Sequence, residues 1–407
     1  MKSALTARSA RCAARSFTPE TRSHSCRIPG ASRKSTKLQS LQLYDFRNYE
    51  TASVSFHPGV NLIVGENAQG KTNLLEAVFY LSTGKSFRTA RNQELIRFGA
   101  EFTDLNCSLF SGGREQSLRA VLFSGRKPRQ LYIGGVKQRS AAGLSGVLTT
   151  VLFCPDDLLI LKSGSAGRRK ILDTALCQLR PGYAQALAEY QKLYDSKSRI
   201  LKDYHEAPSL LEPLPEFNYR MAQVGAVIIA YRAKFLRELS KQARLYHAEF
   251  SGGREELSLV YQTVSTVTDP FAEKKVIFQQ LLDHQQAHYR AELDSGQCLS
   301  GPHKDDFETL LGDRSVKAYG SQGQTRTAAI SLKLAERELF RADTGEEPVL
   351  LLDDVLSELD ARRQDFVLNQ IRSGQVLITC CEPERITNIG KRIFVESGQI
   401  REESSCI

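Results

Sequence analysis

The sequence has no run of about 18 consecutive apolar residues, so it offers no membrane-spanning helix. Its nine cysteines are scattered, with no C-x-x-C pair and no Cys/His spacing suited to zinc, which speaks against a disulfide framework or a metal site and for a reducing cytoplasm. Cys380 and Cys381 are adjacent in an apolar run and read as small core residues. No internal repeat is evident. The first 37 residues lack the apolar core of a secretory signal and hold one acid, Glu20, against nine Lys or Arg. That segment carries almost all of the net charge of +9, so a sequence pI of 9.0 says little about the remaining chain. Its Arg- and Ser-rich composition resembles an organellar transit peptide; a disordered tail or an upstream start is the simpler reading, and the segment is set aside from the fold.

What remains has an ordinary soluble composition, 41% hydrophobic and 25% charged, and is long enough for two or three domains. Leu41, Leu43, Val54 and Phe56 alternate with polar residues around a turn at Asp45–Tyr49, which predicts two strands. Val60 to Val64 is a β-branched run suited to a buried strand, and Thr72 to Leu81 has helical periodicity. Short apolar runs between 105 and 155, separated by Gly112-Gly113 and Gly134-Gly135, predict an antiparallel sheet. Residues 167–203 and 216–250 read as two long helices joined by a loop with Pro208, Pro213 and Pro215. Leu187, Tyr190, Tyr194 and Leu201 stripe the first, and Val224, Ile228, Tyr231, Phe235, Leu239 and Tyr246 the second.

The strongest chemical signal is Gly65-Glu66-Asn67-Ala68-Gln69-Gly70-Lys71-Thr72, which fits G-x-x-x-x-G-K-[ST] between a strand and a helix. Glycines let backbone amides wrap phosphates, the helix N-terminus adds partial positive charge, Lys71 reaches the β- and γ-phosphates, and Thr72 is placed to ligate Mg²⁺. A second half lies at Val349-Leu350-Leu351-Leu352-Asp353-Asp354, a buried strand delivering carboxylates at its end. Asp353 is the expected Mg²⁺ ligand and Asp354 the residue that orients or deprotonates water. Lys71 and Asp353 are 282 positions apart, so a large insertion divides one site, as in the ABC class of ATPases. Gly320-Ser321-Gln322-Gly323-Gln324 precedes a helical pattern over Thr325 to Phe340 and is the candidate signature, with Ser321, Gly323 and Gln324 facing a nucleotide held by a second copy. Ser357-Glu358-Leu359-Asp360 fits the loop after the carboxylates.

These motifs together resemble the RecF family of SMC-like ATPases, over about residues 38–400. The resemblance extends to Leu41–Tyr49, to Gly84-Lys85-Ser86-Phe87-Arg88, to Phe153-Cys154-Pro155-Asp156-Asp157-Leu158 before Arg168-Arg169, and to Gly301-Pro302-His303-Lys304-Asp305-Asp306. It implies ATP-driven homodimerisation that clamps DNA at gaps or single-/double-strand junctions, slow and DNA-stimulated hydrolysis that releases it, and a role in recombinational repair with RecO and RecR that helps RecA load. The chain departs from transporter subunits in having Thr379-Cys380-Cys381, with no histidine, after the strand Val376-Leu377-Ile378. That leaves the γ-phosphate sensor unassigned. Asp156 is a candidate for the missing glutamine motif, though a structural turn after Pro155 is the plainer reading.

The expected fold is α/β: an ABC-type, SMC-head-like ATPase domain built from both chain ends with an inserted helical domain. Its divisions are the extension 1–37, an N-terminal lobe 38–165, a helical hairpin 166–255 and a C-terminal lobe 256–407. Two basic stretches are candidates for DNA phosphates: 114–139, with Arg126, Lys127, Arg129, Lys137 and Arg139, and 217–247, with Arg237, Lys241 and Arg244. Both also suit an ordinary solvated face, and His303 suits either a buried or a functional role. Two other readings stand beside the DNA-clamp one: a transporter-type nucleotide-binding subunit, and a scaffold that binds ATP without turning it over.

Overall fold

Alternating buried and exposed residues make β1 (Lys37–Phe46) and β2 (Tyr49–Ser55) an antiparallel pair, turned where the sequence predicts. The computed structural model describes residues 35–371, 373–381 and 390–402; of the basic extension, residues 1–34 lie outside them. β3 (Val60–Val64) leads into α1 (Lys71–Thr83), which stops at Gly84 in a left-handed cap with φ 68°. β4 (Phe102–Ser111), β5 (Arg114–Phe123), β6 (Gln130–Ile133) and β7 (Val136–Gln138) complete an antiparallel sheet in the order β2-β1-β4-β5-β6-β7. The antiparallel sheet predicted for 105–155 ends there. β8 (Thr150–Phe153), buried at every residue, pairs instead in parallel with a strand from the far end of the chain. An unbroken buried run is what a strand covered on both faces needs.

The helical stretch expected over 167–203 is also divided. After α2 (Pro155–Leu159) come α3 (Ser165–Leu179) and α4 (Pro181–Asp203). The break is at Arg180, extended with φ −133°, because the Pro181 ring disfavours helical geometry in the residue before it. α5 (Leu214–Ser251) is a single helix of 38 residues, closed by Gly252. The chain then forms β9 (Leu257–Gln262), α6 (Lys274–Ala287), α7 (Tyr289–Ser295), β10 (Asp306–Leu311), β11 (Arg314–Ser315), α8 (Val316–Tyr319) and α9 (Gln322–Thr344). β12 (Val349–Leu352), α10 (Ala361–Gln370), β13 (Val376–Cys380), β14 (Lys391–Glu396) and β15 (Gln399–Glu402) complete it.

The second large sheet draws on both chain ends, in the order β15-β14-β3-β13-β12-β8, and only β15 is antiparallel to its neighbour. Ile63, Leu152, Leu351 and Leu377 point to one side, into a core shared with α1 and the antiparallel sheet. Leu62, Leu350, Leu352 and Ile378 point to the other, against Ile330 and Leu334 of α9 and Val367 of α10. α1 and α9 therefore cover opposite faces of one sheet. Gln375, buried just before β13, fastens the ends further: its side chain accepts from the Leu38 N–H and donates to the carbonyls of Leu38 and His57.

α5 packs apolar residues in several directions. Met221, Val224 and Ile228 meet Tyr183 and Tyr190 of α4, while Ala226 and Ile229 meet Ile277 and Leu281 of α6. Leu236 and Leu239 pack with Ala329 and Leu332 of α9. Beneath α5 lies a buried polar cluster. The Arg232 guanidinium donates to Asp173, to Asp305 and to the Pro302 carbonyl, and Asp305 also accepts from Tyr261 and Thr263. Arg168 makes a two-pronged pair with Asp306 at 2.7 Å, and Arg169 donates to the Asp305 carbonyl. The Arg168-Arg169 and Gly301–Asp306 motifs are thus parts of one ionic junction. Burial pushes the Asp305 carboxyl up against the lowering pull of Arg232 and the two hydroxyls.

His303 belongs to this junction. Its Nδ1 faces the Tyr190 hydroxyl at 2.8 Å and its Nε2 the Cys298 carbonyl at 3.0 Å. Nε2 carries the proton it gives Cys298, and Nδ1 accepts from Tyr190. Burial depresses its pKa from 6.5 to about 4. A histidine held neutral in the fold stabilises fully above its unfolded pKa, and that contribution is lost as pH falls. Urea unfolding between pH 4 and 6.5 should therefore show stability rising with pH, with a contribution of at most about 1.4 kcal/mol per pH unit that is missing in His303→Gln.

Candidate nucleotide-binding site

Parallel strands place their carboxyl ends at one edge, where ligands bind in open α/β sheets. At that edge β3 delivers Gly65–Thr72 and β12 delivers Asp353 and Asp354, with β13 lying between them. Thr72 Oγ1 donates to Asp353 Oδ1 at 2.8 Å, so residues 281 positions apart meet. Thr379 of β13 supports the pair from below: its hydroxyl lies 3.1 Å from Asp353 Oδ1 and accepts from the Asp354 N–H at 2.8 Å. Burial raises the Asp353 pKa, while the bonds from Thr72 and Thr379 and the charge of Arg88 lower it. Asp354 has a left-handed backbone, φ 50°, held by Thr379 and by Ser357, whose hydroxyl donates to the Asp354 carbonyl. A non-glycine residue kept in that region next to a carboxylate is the kind of local strain that gathers at functional sites.

The loop itself is held on several sides. Lys71 Nζ donates to the carbonyls of Gly65 at 2.5 Å and Glu66 at 2.8 Å. Ala68 is left-handed at φ 65°, and the backbone N–H groups of Glu66, Asn67, Ala68 and Gly70 donate to no acceptor among the described residues. Successive free amides in such a turn form a concavity suited to an anion. The glycines are needed for room: a Cβ on Gly65 would lie 2.2 Å from the Val395 carbonyl oxygen, and one on Gly70, φ 120°, would meet the Asn48 amide and the Tyr49 hydroxyl. The Gln69 side chain accepts from the Ser397 N–H at 2.5 Å. The donor set, an ammonium, free amides and a hydroxyl–carboxylate pair, fits a triphosphate and a hard divalent cation.

Some of this was not visible in the sequence. The turn between β1 and β2 grips the loop, Asn48 donating to the Gln69 carbonyl at 2.8 Å and Tyr49 to that of Gly70 at 2.9 Å. Arg47 pairs with Glu76, fully buried in α1, through two bonds of 2.8 and 2.9 Å. Cys381 is exposed rather than a core residue, with its Sγ 3.2 Å from Lys71 Nζ and 3.1 Å from Asn67 Oδ1. Asp156 is exposed on α2, and it is Asp157 that caps the turn by accepting from the Cys154 N–H at 2.9 Å.

The signature residues lie elsewhere. Ser321 caps α9 in a reciprocal box with Gln324: the Ser321 hydroxyl accepts from the Gln324 N–H at 3.2 Å, and the Gln324 side chain accepts from the Ser321 N–H at 2.9 Å. Among the described residues no hydrogen bond or ion pair joins Ser321, Gly323 or Gln324 to the phosphate loop or to Asp353. Of the candidate DNA cations, Arg126, Lys137 and Arg139 are exposed without an ion pair among the described residues, and Lys127 lies over the Phe123 ring at 4.0 Å. Arg129 instead braces α1 through the Tyr80 hydroxyl and the Gly84 carbonyl. Arg237 and Lys241 share Glu238, and Arg244 pairs with Glu256. Arg232, which falls within the same 217–247 stretch, is buried.

With this geometry the relatives can be placed. Residues 37–401 match the family model described as RecF/RecN/SMC N terminal domain. The DNA replication and repair protein RecF of Acetivibrio thermocellus is 36% identical over 371 residues, covering 90% of this chain and 98% of its own. The chain belongs to the RecF family. The RecF of Staphylococcus haemolyticus is 37% identical over 373 residues, covering 89% of this chain and 99% of its own. A solved structure described as the recombination mediator protein RecF-ATPrS in the RecFOR pathway superposes with a TM-score of 0.85 at 31% identity, over 91% of this chain and 99% of that one. An SMC head of Pyrococcus furiosus, at 16% identity and a TM-score of 0.52 over 91% and 96% of the two chains, shares the fold. The fold is the ABC-type, SMC-head-like ATPase fold that the sequence predicts.

The contact of Tyr49 with the loop carries a prediction. Tyr49→Phe removes one bond to the Gly70 carbonyl and leaves the ring in place. Stability measured by urea unfolding should fall by about 1 kcal/mol, as for a typical intramolecular hydrogen bond.

Proposed function

We propose that this chain is an ATP-gated DNA-binding protein of DNA replication and repair. The observation that carries the reading is the Thr72–Asp353 bond, which closes a phosphate loop on a strand-end carboxylate across 281 positions. In this reading the Gly65–Gly70 backbone cradles the triphosphate. Lys71 turns from the carbonyls of Gly65 and Glu66 to the β- and γ-phosphates. Thr72 and Asp353, already together, would hold Mg²⁺, which would supply positive charge beside the phosphates. Asp354, set by its strained backbone and by Thr379, orients the attacking water.

Ser321, Gly323 and Gln324 act on the nucleotide of a second copy. α1 and α9 cover opposite faces of the sheet, and among the described residues no hydrogen bond or ion pair joins the signature residues to their own phosphate loop, which supports a site completed across a homodimer. DNA binds the ATP-loaded dimer at gaps or single-/double-strand junctions, and slow hydrolysis releases it. The cations best placed for phosphates are Arg126, Lys127, Lys137 and Arg139 on the β5–β6 loop and the β6–β7 edge of the antiparallel sheet. The pairing of Arg237, Lys241 and Arg244 with acids, and the bracing role of Arg129, give those four a lesser part. RecF relatives are described in the RecFOR pathway, and we extend that setting to this chain: RecO and RecR as partners, help in RecA loading, and action in the cytoplasm. No helix among the described residues is long and apolar enough to cross a membrane.

Two experiments test the reading. The 38–407 fragment should bind DNA with ATP and not without it, and Lys71→Ala should lose the ATP-dependent part; binding indifferent to ATP would sink the gating mechanism. Asp354→Asn should keep nucleotide binding and abolish turnover, measured as phosphate release. Turnover unchanged in that variant would remove Asp354 from its role.

A further inference from the structure

Arg363 sits in the first turn of α10, three residues after the cap Asp360. Its backbone N–H donates to Asp360 Oδ1 at 3.0 Å, and its guanidinium donates to Asp360 Oδ2. The same guanidinium crosses to α9, donating to the Gly323 carbonyl at 2.9 Å and to Thr327 Oγ1 at 3.2 Å. Thr327 in turn donates to that Gly323 carbonyl at 2.9 Å. One side chain thus joins the signature turn to the end of the Ser357–Asp360 loop. A second bond runs alongside, from Arg326 to the Glu358 carbonyl at 2.8 Å.

Helix stability does not account for this placement. A cation in the first turn of α10 that also reaches the first turn of α9 opposes the dipoles of both helices. The contact also constrains the signature: a Cβ on Gly323 would lie 3.0 Å from the Arg363 Nη2. Glycine at that position gives the guanidinium its approach to the backbone. Arginine is the side chain that can do this, because its planar fork offers several donors in fixed directions at once, whereas lysine offers a single point charge.

We infer that Arg363 is a positioning residue that locks the signature turn (Ser321–Gly323) and the Ser357–Asp360 loop into one body, so that both are presented together to a second copy of this chain. This rests on the two-copy reading above. It goes beyond that reading by naming what sets the geometry of the surface each copy offers. Among the described residues Arg363 makes no hydrogen bond or ion pair to the phosphate loop or to Asp353, so it should act on assembly of the composite site and not on nucleotide capture.

The test uses the full chain and three variants: Arg363→Ala, Arg363→Lys, and Arg362→Ala as a neighbour control. Arg362 shares with Arg363 a place over the Phe250 ring and donates to the Phe250 carbonyl, but among the described residues it makes no hydrogen bond to the signature turn. Each is measured for binding of a fluorescent ATP analogue, for nucleotide-dependent dimerisation by sedimentation velocity, and for kcat and KM of ATP hydrolysis. Arg363→Ala should bind the analogue like wild type, while its dimer constant weakens by about tenfold or more, in keeping with the loss of charged hydrogen bonds. Its kcat should fall with KM unchanged. Arg363→Lys should recover part of the dimerisation, and Arg362→Ala should match wild type. An Arg363→Ala protein that dimerises like wild type would overturn the inference. So would one that loses analogue binding together with dimerisation, since the role would then be general folding. Should wild type itself fail to dimerise with nucleotide, the two-copy reading falls first, and that outcome is separable from the others.

Discussion

The arrangement of the whole molecule depends on a hydroxyl and a carboxylate that must meet. Thr72 follows β3 and Asp353 follows β12, and only a sheet that interleaves the two chain ends can bring them to 2.8 Å. β13 lies between those strands, so the site has three walls. Thr379 of β13 holds both aspartates, and Cys381 just beyond it faces Lys71 and Asn67. The strands are buried on both faces, and this makes the placement stiff: α1 with the antiparallel sheet covers one side, and α9 with α10 covers the other.

The long interval between the two halves of the site is filled by helices that are tied to this sheet. α5 reaches from the Tyr183–Tyr190 region of α4 to Leu332 of α9. The ionic junction of Arg232, Asp173, Asp305, Arg168 and Asp306 fixes α3, α5 and β10 beneath it. Breaking a buried charge pair by removing one partner is strongly destabilising, so this junction tolerates little rearrangement.

Much of the site was legible because its chemistry is local. A glycine loop between a strand and a helix is set by neighbouring residues, and an apolar run ending in two aspartates is equally self-contained. Strand order is not local. Nothing in Val376–Cys380 says that it lies between β3 and β12, so the contacts of Thr379 and Cys381 stayed hidden. The division at Arg180 was readable from Pro181, yet the strong apolar stripe over 187–201 masked it. Basic residues were the least legible, since the sequence counts charges and not partners. Arg232 and Arg129 are structural, and Arg237 and Lys241 face a shared acid. The turn at Asp45–Tyr49 was readable from the alternation around it; its grip on the phosphate loop is a tertiary contact that periodicity cannot show.

In the proposed reading the site is composite, with a phosphate loop from one copy and a signature from another. Mixing tests it most directly. The Lys71→Ala and Ser321→Arg chains are prepared separately, and ATP hydrolysis is measured for each alone and for the mixture. Two copies that share their sites would form mixed dimers with one intact pair of loop and signature. Turnover is therefore expected in the mixture and in neither variant by itself. A mixture as inactive as its parts, formed under conditions where wild type dimerises and turns over ATP, would contradict it.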